Sequence, residues 1–162
     1  MGSGSKFSSK LSTRGGKANF ITQSNISSGD PSALKILDEM SKEGTKYSKE
    51  KIIFVAKLEN GQKIFLETGN SSSGMQHILE RHGDDFVKAF SDLNLSKNNL
   101  QSFLCDTILK GRLISSCRRD INGKEGYRSV YYYKGHKTIV VCIAGNGYIL
   151  TSHPGKNYGG NK

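Results

Sequence analysis

The stretch Gly74-Met75-Gln76-His77-Ile78-Leu79-Glu80-Arg81-His82-Gly83-Asp84-Asp85-Phe86 carries two of the chain's four histidines and an arginine between them. In a helix, His77 and Arg81 are about one turn apart and share a face, with His82 one step round from Arg81. Ile78, Leu79 and Phe86 then turn toward a core. Gly83 is placed to stop or kink the helix, and Asp84 to cap the segment after it. An imidazole trades a proton near neutral pH and a guanidinium holds a phosphate, so the set suits cleavage of a phosphodiester. The same residues also make an ordinary solvated helix face, and spacing alone does not separate the two uses.

A second set lies near the end of the chain, where a β-rich run closes on Thr151-Ser152-His153-Pro154. Alternation puts Ile149, Thr151 and His153 on one face and Tyr148, Leu150 and Ser152 on the other. Over Tyr127–Tyr133 it groups Arg128 with Val130 and Tyr132, and Tyr127 with Ser129, Tyr131 and Tyr133. If the second group faces a ligand, Tyr131 and Tyr133 offer rings for stacking bases. Cross-strand aromatic packing is the plainer use of the same tyrosines.

RNA cleavage without a metal needs a base for the 2′-hydroxyl proton, an acid for the leaving 5′-oxygen, and cations or hydroxyls around the phosphorane. Two histidines, an Arg or Lys and a Thr supply these. No metal or cofactor is expected. A metal nuclease would want clustered carboxylates, and Asp84-Asp85 reads as a cap with surface charge. There is no phosphate-cradling Gly-x-x-x-x-Gly-Lys-Ser/Thr loop, no dinucleotide glycine motif and no Gly-x-Ser-x-Gly elbow. Cys105, Cys117 and Cys142 are too widely spaced for a paired metal motif. Cys105 and Cys142 read as small buried apolar residues of a chain working in a reducing compartment.

Composition sets the class of partner. The chain has 162 residues, enough for one domain, and 24 Lys plus Arg against 14 Asp plus Glu give a net charge of +10. That balance favours a polyanion, with nucleic acid ahead of an anionic membrane. No apolar run is long enough to span a bilayer, the start lacks a secretory apolar stretch, and neither end carries a lipidation signal.

These residues need elements to position them. Residues 1–30 read as a flexible basic segment or linker, 31–155 as one domain, and 156–162 as a disordered tail. Asp30-Pro31-Ser32 opens a helix whose expected apolar stripe is Leu34, Leu37 and Met40, with Ile36 beside it. Runs at 51–57 and 62–67 flank Asn60-Gly61, a hairpin signal. A Ser/Gly-rich loop then leads flexibly to the His77 helix, and a further helix capped by Ser96 ends at Gly111. Residues 113–117 suggest a short strand and 118–123 a charged turn. Three strands at 127–133, 137–143 and 148–153 make an antiparallel meander joined by short turns. The expected fold is α+β, with helices packed on one face of a twisted antiparallel sheet.

The block HILERHGDDF, with YRSVYYYKGHKTIVVCIAGNGYILTSHPG after a further helix, resembles the C-terminal toxin domains of the barnase/EndoU/colicin/RelE-like ribonuclease superfamily. Such domains end contact-dependent inhibition proteins and other polymorphic bacterial toxins. The resemblance covers about Lys51 to Gly155. It implies metal-independent RNA cleavage, often of tRNA, leaving a 2′,3′-cyclic phosphate, and neutralisation by a cognate immunity protein. It implies delivery by secretion or from a cell surface into a target-cell cytoplasm. Carried over by motif, the helix histidine falls on His77, with Arg81 and His82 completing the pattern, and the strand hydroxyl on Thr151. His153 stands where relatives often have an aromatic, so either it or His82 is the second proton-transfer group. Arg128 is a candidate phosphate ligand. The alternative is a non-catalytic, basic nucleic-acid-binding module, resting on the net charge and the tyrosine-rich strands.

Overall fold

The computed structural model describes residues 20–121, 123–133 and 138–155. The expected tail, the N-terminal part of the expected linker and the turn at 134–136 lie outside them. The fold is α+β, with four helices and two antiparallel sheets rather than one among the described residues. The first sheet holds β1 (Phe20–Thr22), β2 (Ile52–Lys57) and β3 (Lys63–Glu67) in that order. The second holds β4 (Arg112–Ile121), β5 (Lys124–Tyr132), β6 (Thr138–Ala144) and β7 (Ile149–Pro154), also in chain order. Helices α1 (Gln23–Ser27) and α2 (Pro31–Lys42) precede β2, while α3 (Met75–Ala89) and α4 (Leu100–Lys110) lie between the sheets in sequence.

Folded chain begins earlier than the composition suggests. Phe20-Ile21-Thr22 pairs with β2, and Ile21 and Ile26 are buried. The Gly/Ser/Lys bias of residues 1–30 hides this short apolar strand. Asp30 caps α2 as expected, its carboxylate accepting from the Ser32 amide at 2.9 Å. The buried stripe of α2 is Ala33, Ile36, Leu37 and Met40, and Leu34 is exposed. That stripe covers Ile21, Ile52, Val55 and Phe65 on the outer face of the first sheet. The opposite face, with Phe54, Ala56, Ile64 and Leu66, meets α3, α4 and the second sheet in the main core. Both faces of β2 and β3 are therefore apolar, as in a strand buried on two sides.

Three features place α3. The Phe65 amide donates to the Gly147 carbonyl at 2.9 Å, stitching β3 to the turn before β7. The Gly74 amide donates to the Leu150 carbonyl at 2.9 Å, fixing the start of α3 to the start of β7. Gly74 has φ +87°, and a Cβ there would sit 2.8 Å from the Gly69 Cα, so only glycine fits. Beyond that anchor α3 runs without a break through Gly83, whose bare face is covered by the Lys97 side chain. Gly83 does not stop it, because a single helical glycine costs only about 1 kcal/mol, less than packing supplies.

Candidate active site

From Gly74 to His82 the helix rises about 12 Å, and from Leu150 to His153 the strand rises about 10 Å. Starting from one shared hydrogen bond, α3 and β7 thus bring His82 and His153 level. The rings meet with centroids 5.4 Å apart, and His77 and His82 with centroids 5.8 Å apart. Three of the four histidines thus form a row through ring contacts, of which His82 and His153 line a cleft and His77 does not; the fourth, His136, lies outside the described residues.

Partners set the tautomers of the outer two. His77 Nδ1 lies 2.9 Å from the Ser71 carbonyl, and His153 Nδ1 lies 2.9 Å from the Pro154 carbonyl. A carbonyl only accepts, so each Nδ1 carries the proton and each neutral ring keeps Nε2 as a free acceptor. The Ser71 carbonyl is itself held by order in the loop expected to be flexible. Asn70 Oδ1 accepts from the Ser72 and Ser73 amides at 2.8 and 3.2 Å.

His82 differs. Its Nδ1 is buried and makes no hydrogen bond, with Asp85 Oδ2 3.5 Å away. Burial holds this imidazole below the usual histidine range; the Asp85 carboxylate opposes the shift, and His153 and His77 add to it. An open cleft of about 550 Å³ adjoins it, lined by His82, Asp85, Lys88, His153, Pro154 and Gly155 among others.

Thr151 shares a face of β7 with His153, and its Oγ1 is buried without a hydrogen-bond partner. Ile149 does not share that face. A bulge falls between the pairs Cys142–Thr151 and Ile143–Ile149. It turns Ile149 to the core side, where it lines a small internal gap with Ser152. Antiparallel partners point to one face, so the register places Arg128, Cys142 and Thr151 in a single row across β5, β6 and β7.

Of the other expected site residues, Arg81 is exposed on α3 and does not line the cleft. Tyr131 is 2 % exposed within the main core, and burial pushes its phenol far above the ordinary range. Tyr133 is half-buried, its ring 5.7 Å from that of Phe103. Both tyrosines lie on the face of the sheet that packs against α4, and Tyr131, enclosed there, offers no open ring for a base. The tyrosine on the Arg128 face is Tyr132, with the Arg112 guanidinium 5.6 Å from its ring centroid. Lys88 lines the cleft without having been expected there, and Asp85 is a cleft residue rather than plain surface charge. The spacing of Asp85 three residues after His82, and Lys88 three further on, was the available signal.

Among the described residues no cluster of His, Cys, Asp and Glu is arranged to hold a metal ion, and no helix is long and apolar enough to cross a membrane. Together these features define a class: a small α+β domain with a basic surface and a histidine row beside an unpaired hydroxyl. No family model matches the chain, and no curated protein matches it significantly.

Proposed function

We propose that this chain is a metal-independent endoribonuclease acting by 2′-hydroxyl transesterification. The observation that carries the reading is the meeting of His77, His82 and His153 beside the unpartnered Thr151 hydroxyl. His77 and His153 are the proton-transfer pair, since each has its tautomer fixed by a carbonyl and Nε2 free. One takes the 2′-hydroxyl proton while the other protonates the departing 5′-oxygen, closing a 2′,3′-cyclic phosphate. Thr151 donates to the charged phosphorane, with Lys88 as the cation of the cleft. His82 is the neutral ring that holds the other two apart.

The sequence resemblance extends the proposal to a toxin domain that cuts tRNA in a target-cell cytoplasm and is restrained by an immunity protein. The test is incubation of purified protein with total RNA, with and without EDTA, and then end analysis of the fragments. EDTA-insensitive fragments ending in cyclic phosphate, lost in His77→Ala, support the reading. Intact RNA with wild-type protein, or equal cleavage by His77→Ala, overturns it.

A further inference from the structure

The long β4–β5 ribbon sorts its charges by face. Residues 118–121, within the expected charged turn, instead continue β4 to Ile121, paired with β5 down to Lys124. Strand alternation sends Arg118, Asp120 and Glu125 to one face, where Arg118 and Glu125 pair at 2.7 Å. It sends Arg112, Arg119, Lys124 and Arg128 to the other, with no carboxylate of the ribbon among them. That is the face of Thr151 and His153. Among the described residues neither Arg119 nor Arg128 has an acidic partner. Both stand close enough to Cys142 to offset in part the rise that burial imposes on its thiol. Cys142 lies between Arg128 and Thr151 in the cross-strand row.

We propose that Arg119 and Arg128 hold phosphates that flank the scissile one, so that the substrate is a single-stranded RNA segment laid across the sheet from β7 toward β4. This rests on the ribonuclease reading and deepens it. The charge argument is direct: alternation gathers four cations on one face, the ribbon's carboxylates Asp120 and Glu125 reaching only the tip pocket that Arg119 and Lys124 also line, and such a face suits a polyanion. Geometry gives the direction. Strands lie about 4.8 Å apart, so β5 is roughly 10 Å from β7 and β4 further still. A backbone that starts at the histidines must continue over Cys142 to reach these guanidiniums.

The experiment measures anisotropy of labelled single-stranded RNA with 2′-fluoro sugars, which cannot transesterify, as a dinucleotide, a tetramer and an octamer. Arg119→Gln and Arg128→Gln should each weaken octamer binding about tenfold, the effect of a charge-assisted phosphate contact. Each should flatten the logarithmic salt dependence by about 0.7. The loss should shrink toward the dinucleotide. Arg118→Gln, on the opposite face, should bind as wild type does. Equal losses at every length would put both guanidiniums on the scissile phosphate and overturn the proposal. Wild-type affinity in Arg119→Gln, or an equal loss in Arg118→Gln, would do the same. Cleavage of total RNA is read separately. Length-dependent binding without cleavage sinks only the ribonuclease reading, and cleavage without Arg119 dependence sinks only this one.

Discussion

His82 and His153 meet with ring centroids 5.4 Å apart and planes tilted by 42°. One stands on a helix and the other at the end of an edge strand. The contact makes His82 the middle of the row, and burial disfavours its protonated form. A ring that resists protonation is a poor general acid. Substituting His77 or His153 with Ala should therefore lower RNA cleavage by about 100-fold or more, the usual worth of a proton-transfer group. His82→Asn should cost less, about tenfold. Rates on one RNA substrate decide it, and a His82→Asn defect as deep as that of His77→Ala would give His82 the second catalytic role.

Acid sensitivity should trace to the same ring. The folded-state value of His82 lies below the ordinary histidine value of about 6.5. Between the two values the unfolded chain binds more protons than the folded one, so stability rises with pH there. The contribution is complete above about pH 6.5 and is lost as pH falls through that value toward the folded one. The groups around it are Asp85, Lys88, His77 and His153. Thermal melts of His82→Asn should fall less steeply with acid than those of wild type. Parallel curves would show that the ring titrates alike in both states.

Thr151 should separate stability from activity. Its hydroxyl is buried without a partner, and such a group costs about 1–3 kcal/mol. Thr151→Val keeps the shape and removes the unpaired oxygen. The midpoint of thermal unfolding should hold or rise, while RNA cleavage falls about 100-fold, as when one donor to a developing oxyanion is removed. A variant that melts well below wild type would mean that the hydroxyl has a structural partner in solution.

Thiol reactivity should rank by burial. Cys117 is exposed, Cys142 and Cys105 are half-buried, and burial pushes the Cys105 thiol up to about 12. Iodoacetamide at neutral pH should label Cys117 first and leave Cys105 for last, since only the thiolate reacts. Peptide mass spectrometry over time reads the order. Early labelling of Cys105 would mean that α4 opens readily from the core.

Much of the fold was legible in the residues. The Asn60-Gly61 hairpin, the Asp30 cap and the last three strands rest on local rules, and they hold where tertiary packing agrees with them. The departures have physical causes. Glycine punctuation at 83 loses to packing on both ends of α3. The bulge in β7 breaks strict alternation and separates Ile149 from Thr151. Tyrosines on either face of β5 look alike in sequence, and only the position of α4 decides that Tyr131 is core. Arg119 reads as turn because the ribbon's tip is solvated on both faces and shows no apolar alternation. That His77, His82 and His153 meet depends on the Gly74–Leu150 hydrogen bond, a long-range pairing without a local signal.

That pairing has a counterpart at Gly147, which should be among the most sensitive of the described glycines. Its φ is +100°, and an added Cβ would overlap the Lys63 carbonyl oxygen. Its own carbonyl receives the Phe65 amide that joins the two sheets. Alanine there would strain the backbone and push β3 from the start of β7. The strand carrying Thr151 and His153 would then lose its register against α3. Gly147→Ala should destabilise the fold by about 2 kcal/mol or more and abolish cleavage with it. Gly61→Ala is the comparison, since it has φ +89° but open space around it and lies in the distant β2–β3 turn. It should cost about 1 kcal/mol and leave cleavage near wild type. Denaturant midpoints and RNA cleavage measured on both variants check this, and equal losses would mean that the strained φ matters and the sheet junction does not.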